Sequence, residues 1–241
     1  MILAIDAGNT LVKWGLHDGR NWQSIGSVAH LELVSVAKIW RSFEPPESIV
    51  ISNVAGEKIR SELSVLVSHL HREPHWIVAK DEECSVINGY RHPAQLGSDR
   101  WASLIAARAM YGGSCLVVSV GTAMTVDALS GEGKFLGGII VPGPQLMVDA
   151  LTGRTAGIRL RTGAKFQQLP DNTADAVYSG SRQALAGAIE QIRGIMMEMQ
   201  LEEPLCILSG GGAAEIEPLL RMPYRVVENL VLEGLIRIAK Q

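Results

Sequence analysis

The spacing of apolar and polar positions predicts short strands that alternate with amphipathic helices. In the first part of the chain, β-prone apolar runs occupy residues 2–6, 11–17, 23–28, 49–52 and 76–78. Between them, apolar residues recur at helical spacing over residues 31–43 and 58–70. Because strands and helices alternate, we expect a mixed sheet with helical crossovers.

The pattern then restarts, which predicts a second domain. An Ala-rich helix over residues 99–111 ends at Gly112-Gly113, and new strands follow at 116–120 and 124–129. A Gly- and Pro-rich apolar run, a long helix over 174–200, a last strand at 205–208 and a helix after the glycine string at 210–212 complete the chain. The 241 residues suit two domains of roughly 100 to 120 residues each. We therefore place the domains at 1–112 and 113–241.

Two similar strings lie a little over a hundred residues apart, at residues 5–10 and 120–127. Each follows an apolar run, turns through Gly beside a small polar residue and enters a second β-prone run, as in a tight hairpin. A glycine backbone can approach an anion closely, and Asn or Thr adds donors, so such turns suit phosphate groups. For either turn alone, an ordinary hairpin is the more common interpretation. Their repetition, each with an acidic residue nearby, favours a duplicated phosphate clamp.

Composition and charge narrow the function further. Apolar residues make up 47%, charged residues 20%, and the net charge is −3 without a basic cluster, so we expect neither a nucleic-acid nor a membrane partner. No apolar run is long enough to span a bilayer. The widely spaced Cys84, Cys115 and Cys206 indicate a reducing cytoplasm and argue against structural zinc. Small-molecule chemistry is the favoured class. The chain lacks both GxxxxGK[ST] and GxGxxG, so any ATP would bind through the paired hairpins.

Taken together, the motifs resemble those of the type III pantothenate kinase family, and they span nearly the whole chain. They are Asp6-Ala7-Gly8-Asn9-Thr10, Tyr90 with Leu96-Gly97-Ser98-Asp99-Arg100, residues 121–127, residues 137–143, Asn172-Thr173 with Gly180, and Gly210-Gly211-Gly212. The first string is shared with sugar kinases and actin, whereas its combination with Gly-x-Asp-Arg is specific. Residues 144–170 match the family least, and substrate contacts there are left unassigned.

The resemblance implies a fold, a reaction and a set of cofactors. The fold is α/β, with two duplicated actin-like (RNase H-like) domains whose mixed sheets are flanked by helices, in a homodimer. The reaction is ATP-dependent phosphorylation of pantothenate to 4'-phosphopantothenate, the first step of coenzyme A biosynthesis. Magnesium and a monovalent cation, potassium or ammonium, are the implied ions. The alternatives are an actin-like kinase for another small alcohol and a non-catalytic accessory regulatory protein of the same fold.

The resemblance also implies roles for three charged residues. Asp99 would be the general base on the pantothenate hydroxyl, although Ser98 or Asp99 would equally suit the N-cap of the following helix. Arg100 would contact substrate or phosphate, with a surface salt bridge as the alternative. Asp6 would hold magnesium, directly or through water. A decayed site would have no need to retain such carboxylates, which favours an enzyme.

The remaining implied contacts divide among nucleotide, substrate and cation. Pantothenate would contact Tyr90, Gly97, Ser98, Arg100 and Thr173, where Tyr90 could instead be a packed aromatic and Thr173 a helix cap. Asp127 would bind the monovalent cation. The ATP contacts would be Asp6, Ala7, Gly8, Asn9, Thr10, Gly121, Thr122, Gly210, Gly211 and Gly212. For the last three, a plain flexible turn is an equal alternative.

Overall fold

The structure, a computed structural model, describes residues 1–154, 163–199 and 202–241. The chain up to residue 112 contains seven strands and three α-helices within these residues. They are β1 (Ile2–Ala7), β2 (Leu11–His17), β3 (Trp22–Ala29), α1 (Leu33–Trp40), β4 (Ser48–Asn53), α2 (Glu57–Val67), β5 (Pro74–Trp76), β6 (Glu82–Glu83), β7 (Val86–Ile87) and α3 (Ser98–Met110).

The rest of the described chain contains five strands and four α-helices. They are β8 (Cys115–Val120), β9 (Ala123–Leu129), β10 (Phe135–Pro142), α4 (Pro144–Arg154), α5 (Thr173–Glu198), β11 (Leu205–Ser209), α6 (Ala213–Ile216), β12 (Tyr224–Val226) and α7 (Leu230–Ala239). The predicted strands and helices are present, with ends that shift by a few residues. Residue 200, where the long helix was predicted to end, lies outside the described residues.

Contacts within the chain group it into two units. The first comprises Met1–Gly112, Gly133–Phe135 and Asn229–Gln241, and the second comprises Gly113–Glu132 and Leu136–Glu228. The chain first passes between units at the position predicted from sequence. The C-terminal segment differs from the prediction: residues 229–241 were expected in the second domain, but they belong to the first unit.

Helix α7 explains why the C-terminal segment joins the first unit. Its apolar face is buried, and the helix packs on α3, β1 and β4. Gly234 permits close packing, since a Cβ there would lie 1.9 Å from the carbonyl oxygen of Ala102 in α3. Burial of this apolar face stabilises the return of the chain to the first unit.

The two units contain five-stranded sheets of the same topology. The strand orders are β3-β2-β1-β4-β5 and β10-β9-β8-β11-β12. In each unit the first strand is antiparallel to the next and parallel to a later one. β1 and β8 also share one pattern of buried and half-buried positions, as do β2 and β9. This repetition confirms the predicted duplication.

Strand alternation decides which residues of each sheet enter the core. In the first unit, Leu3, Ile5 and Ala7 pack in a core with residues of α1 and α2, so Asp6 lies on the opposite face of β1. In the second unit, Met124 and Val126 pack in a core with residues of α5. Asp127 therefore lies on the opposite face of β9, where it is 1% exposed.

Candidate active site

In the first unit, two carboxylates lie at the point where β1, β4 and α3 meet. Asp6, near the end of β1, pairs in register with Ser52 at the end of β4. Ser98 begins α3, and its hydroxyl oxygen is 2.9 Å from that of Ser52. The hydrogen bond between the buried serines holds the start of α3 at the ends of the two strands. Asp99 follows Ser98 and lies close enough to Asp6 for its charge to act on it.

The pKa of Asp6 is raised from 3.8 to about 7. Burial is the largest cause and the charge of Asp99 is the second, while Lys13 acts in the opposite direction. One carboxylate oxygen of Asp6, Oδ1, is buried without a hydrogen-bond partner among the described residues. Such an oxygen favours a cation as its partner, because a buried polar atom without one is costly.

This environment fits a magnesium ion. Mg²⁺ is a hard cation that prefers oxygen ligands, and it commonly binds one or two protein carboxylates together with waters and substrate phosphates. Asp6 supplies one unpartnered oxygen, with Asp99 nearby as a second acidic group. Within the described part of the chain, no cluster of three or more His, Cys, Asp or Glu side chains could hold a metal alone. Waters and phosphates would therefore have to supply the other ligands.

Asp99 is held in the first turn of α3. Burial raises the pKa of its carboxyl, opposed by the Arg100 backbone N–H and by the Arg100 charge. That N–H donates to Asp99 Oδ1 at 2.8 Å. Gly97 is the N-cap, and no side chain caps the helix there, so the alternative of Ser98 or Asp99 as N-cap is wrong. A Cβ on Gly97 would lie 2.6 Å from Asp99 Oδ1, so glycine leaves room for the carboxylate.

Arg100 is a buried cation that contacts two aromatic rings. Only 6% of it is exposed, and its Nη1 donates to the Tyr90 hydroxyl at 2.9 Å. The guanidinium carbon lies 5.7 Å from the Tyr90 ring centre and 5.8 Å from that of Phe135. The alternative of a surface salt bridge is therefore wrong for Arg100. The packed-aromatic alternative for Tyr90 is confirmed, since its ring centre is 5.3 Å from that of Phe135.

The turn between β1 and β2, Gly8-Asn9-Thr10, is exposed at Asn9 and Thr10. The Gly8 N–H donates to the Leu11 carbonyl at 3.1 Å, so this amide is already used within the hairpin. Gly8 is not among the residues at positive φ, and a Cβ there would meet only the Leu11 oxygen, at 3.5 Å. The fold does not demand glycine here. Ala7, in contrast, packs in the core, and its carbonyl accepts from Val54 at 3.0 Å.

The turn between β8 and β9 shares these features. The Gly121 N–H donates to the Ala123 carbonyl at 3.0 Å, and a Cβ on Gly121 would meet only that oxygen, at 3.7 Å. Thr122 is exposed beside it. In both turns, therefore, the glycine leaves open space without being required by backbone strain. Space of this kind beside exposed polar residues is what the close approach of an anion needs.

The three glycines after β11 divide into two kinds. Gly210 has φ +97°, and a Cβ there would lie 2.3 Å from the Val120 carbonyl oxygen. A Cβ on Gly212 would lie 2.7 Å from the Val120 side chain. Both glycines thus allow the turn to pack against β8. Gly211 has nothing within 4 Å of its Cβ position, so it leaves open space at the surface.

Thr173 is the first residue of α5 and lies at a cavity of the second unit. Asn172 is the N-cap, and its side-chain oxygen accepts from the Asp175 N–H at 3.0 Å, so the cap alternative for Thr173 is wrong. The cavity has a volume of about 870 Å³ and lies between α4 and α5. Residues that line it include Met147, Leu151, Thr173, Val177, Gly180 and Ala184. The sequence analysis missed this cavity because it predicted no helix at α4.

The structure thus brings Asp6, Tyr90, Gly97, Ser98, Asp99 and Arg100 into connected positions in the first unit. The second unit holds Gly121, Thr122, Asp127, Thr173 and the glycines after β11. Two supporting residues escaped the sequence analysis, Ser52 and Phe135. Ser52 carried a detectable signal, since it is the polar end of an otherwise apolar strand.

No helix in the described chain combines the length and apolar character that crossing a membrane requires.

The chain is similar in sequence to known proteins. The family model described as "Type III pantothenate kinase" matches residues 2–194. A type III pantothenate kinase from Nitrosospira multiformis is 48% identical over 241 residues, which cover 100% of this chain and 92% of the relative.

Solved structures show the same fold at low identity. A protein from Campylobacter jejuni described as a Baf family transcriptional activator superposes with a TM-score of 0.63 at 18% identity, covering 99% of this chain and 97% of that one. A Sinorhizobium meliloti protein described as a 2-dehydro-3-deoxygalactonokinase gives 0.62 at 15% identity, covering 100% and 98%. With the duplicated sheets and the family match, these likenesses confirm the predicted actin-like kinase fold. The chain belongs to the type III pantothenate kinase family.

Proposed function

We propose that this protein transfers the γ-phosphoryl group of ATP to the primary hydroxyl of pantothenate, giving 4'-phosphopantothenate in the first step of coenzyme A biosynthesis. Membership of the family supports the substrates. The observation that carries the chemistry is the pair of carboxylates, Asp6 and Asp99, where β1 and α3 meet. Asp6 has an unpartnered oxygen for a metal, and Asp99 is followed in sequence by the buried Arg100.

Asp99 acts as the general base on the pantothenate hydroxyl. Burial raises the pKa of its carboxyl, which makes it a better proton acceptor than an exposed aspartate. The backbone N–H and the charge of Arg100 oppose this rise in the pKa of Asp99. The first turn of α3 also holds the carboxylate in place, as phosphoryl transfer requires a positioned acceptor.

We assign the nucleotide and magnesium to the end of β1 and to the two glycine turns, β1–β2 and β8–β9. Asp6 holds magnesium directly or through water, and the ion neutralises phosphate charge when bound. Gly8, Asn9 and Thr10 contact the phosphates in the first unit, and Gly121 and Thr122 do so in the second. The open position at Gly211 supports an adenosine contact by the segment after β11.

Pantothenate is assigned to Tyr90, Gly97, Ser98, Arg100 and Thr173. The Tyr90 oxygen accepts a hydrogen bond from Arg100, which leaves its own proton available to donate to substrate. Asp127 binds a potassium or ammonium ion in this proposal, and the active form is a homodimer. A cytoplasmic location is supported by the three cysteines, none of which forms a disulfide.

An ATP-dependent phosphorylation assay tests the proposal. Purified protein is incubated with Mg²⁺, ATP and either pantothenate or a panel of other small alcohols, and the phosphorylated products are identified by mass spectrometry. We expect turnover of pantothenate that depends on Asp99. Preference for another alcohol would identify a different actin-like kinase. The absence of any phosphorylated product would favour the accessory regulatory protein.

A further inference from the structure

In each unit, the residue that follows the edge strand β3 or β10 contacts the glycine turn between the two preceding strands. In the first unit, His30 follows β3, and its Nε2 lies 2.8 Å from the Gly8 carbonyl oxygen. In the second unit, Gly143 follows β10, and its backbone N–H donates to the Thr122 carbonyl at 2.8 Å. β3 and β10 occupy the same place in the two sheet orders, so the two contacts are made at corresponding ends of the sheets, to the Gly8 carbonyl in the first turn and to the carbonyl of the residue after Gly121 in the second.

The two units make this contact with different groups. In the second unit it is made by the main chain and requires glycine, since a Cβ on Gly143 would lie 2.0 Å from the Gly121 carbonyl oxygen. In the first unit it is made by an imidazole. A carbonyl oxygen only accepts hydrogen bonds, so Nε2 of His30 must carry the proton. Both the neutral ring protonated at Nε2 and the imidazolium meet this requirement.

The position of the Gly8 carbonyl fixes the direction of the next amide. In a planar trans peptide the C=O and N–H groups point in opposite directions. With the Gly8 carbonyl directed at His30, the N–H of Asn9 is directed away from it. The Gly8 N–H is already donated to Leu11. The Asn9 amide is therefore a donor of this turn whose orientation depends on His30.

We propose that His30 is a positioning residue for the nucleotide: it holds the Gly8 carbonyl so that the Asn9 N–H faces a phosphate group of ATP. This inference rests on the proposed function of the β1–β2 turn. His30 itself need not touch the nucleotide. Its contribution is to hold the peptide in the binding orientation before ATP arrives, which lowers the cost of ordering the turn.

The test compares His30→Leu with His30→Gln, which retains an N–H donor. ATP binding is measured by calorimetry with Mg²⁺ and without pantothenate, and both KM values are measured separately. We expect His30→Leu to raise the Kd and KM for ATP about tenfold, the scale of one lost hydrogen bond, with little change in the KM for pantothenate. His30→Gln should recover most of the loss. His75→Leu, at an exposed position of β5, is the matched control and should bind ATP as the wild type does.

Two results would overturn the proposal. The first is wild-type ATP affinity in folded His30→Leu. The second is an equal rise in the KM values for ATP and pantothenate that His30→Gln does not reverse, which would indicate a purely structural role. If His30→Leu fails to fold, His30→Asn replaces it, because asparagine is polar but too short to reach the carbonyl.

A Gly8→Ala variant in the same titration separates this inference from the proposed function. Its Cβ fits the turn, so the variant should fold. Wild-type ATP affinity in Gly8→Ala would remove the phosphate assignment of the turn itself. Weaker binding in Gly8→Ala together with unchanged binding in His30→Leu would remove only the role of His30.

Discussion

Replacing Asp6 by Asn should stabilise the metal-free protein at alkaline pH. The pKa of Asp6 is raised from 3.8 to about 7, chiefly by burial and then by Asp99. A carboxyl with a raised pKa holds its proton more tightly in the folded state than in the unfolded state. Its contribution to stability is therefore fully present below pH 3.8 and is lost as the pH rises through about 7. Asparagine keeps the size of the side chain without the charge.

The size of the effect follows from the difference between the two pKa values. At 1.36 kcal/mol per pKa unit, a rise from 3.8 to about 7 corresponds to at most about 4 kcal/mol of unfolding free energy. Asp6 is half-buried and keeps some contact with solvent, which reduces this ceiling to about 2 kcal/mol. For a chain of this length, that amount shifts the Tm by about 5 °C.

The assay is thermal unfolding followed by circular dichroism in chelator, at a series of pH values. At pH 8.5, Asp6→Asn should melt about 5 °C above the wild type, and the gap should close as the pH falls toward 4. Added Mg²⁺ should raise the Tm of the wild type at pH 8.5 and leave that of the variant unchanged. Asp99→Asn provides a second comparison, because loss of the neighbouring charge should also stabilise the protein at this pH, by a smaller amount.

An equal or lower Tm for Asp6→Asn at pH 8.5 would refute the reasoning. It would mean that ionising this carboxylate costs the folded state nothing. A Mg²⁺ response that is the same in wild type and variant would remove Asp6 from the magnesium site, whatever the pH dependence.

Three further predictions test the other assigned residues. Asp99→Asn should lower kcat by about 10²-fold or more without lowering the Tm, because it removes the proton acceptor; steady-state assays with near-normal turnover would disprove that role. Gly8→Val should raise the KM for ATP more than that for pantothenate, since its side chain enters the space beside the turn. A folded variant with unchanged ATP affinity would argue against a phosphate contact. The wild type should be more active in potassium than in sodium buffer, and Asp127→Asn should weaken this response; equal activity in both salts would contradict the cation assignment.

The sequence alone determined the local structure and the family. Period-two and helical spacing located most strands and helices, because both patterns depend on residues that are close along the chain. The two hairpins were visible for the same reason. The Gly97-Ser98-Asp99-Arg100 string was visible as a motif, although the start of its helix was misplaced. Capping rules look for a polar side chain at the N-cap, and the N-cap here is Gly97, which has none.

Only the tertiary structure decided which distant residues meet. Sheet order brings His30 to a carbonyl 22 residues away, and the packing of α7 returns the chain's end to the first unit. Arg100 is buried beside the rings of Tyr90 and Phe135. The raised pKa of Asp6 likewise depends on burial and on a carboxylate contributed by another element. These properties arise from contacts between segments far apart in sequence, and local periodicity carries no information about them.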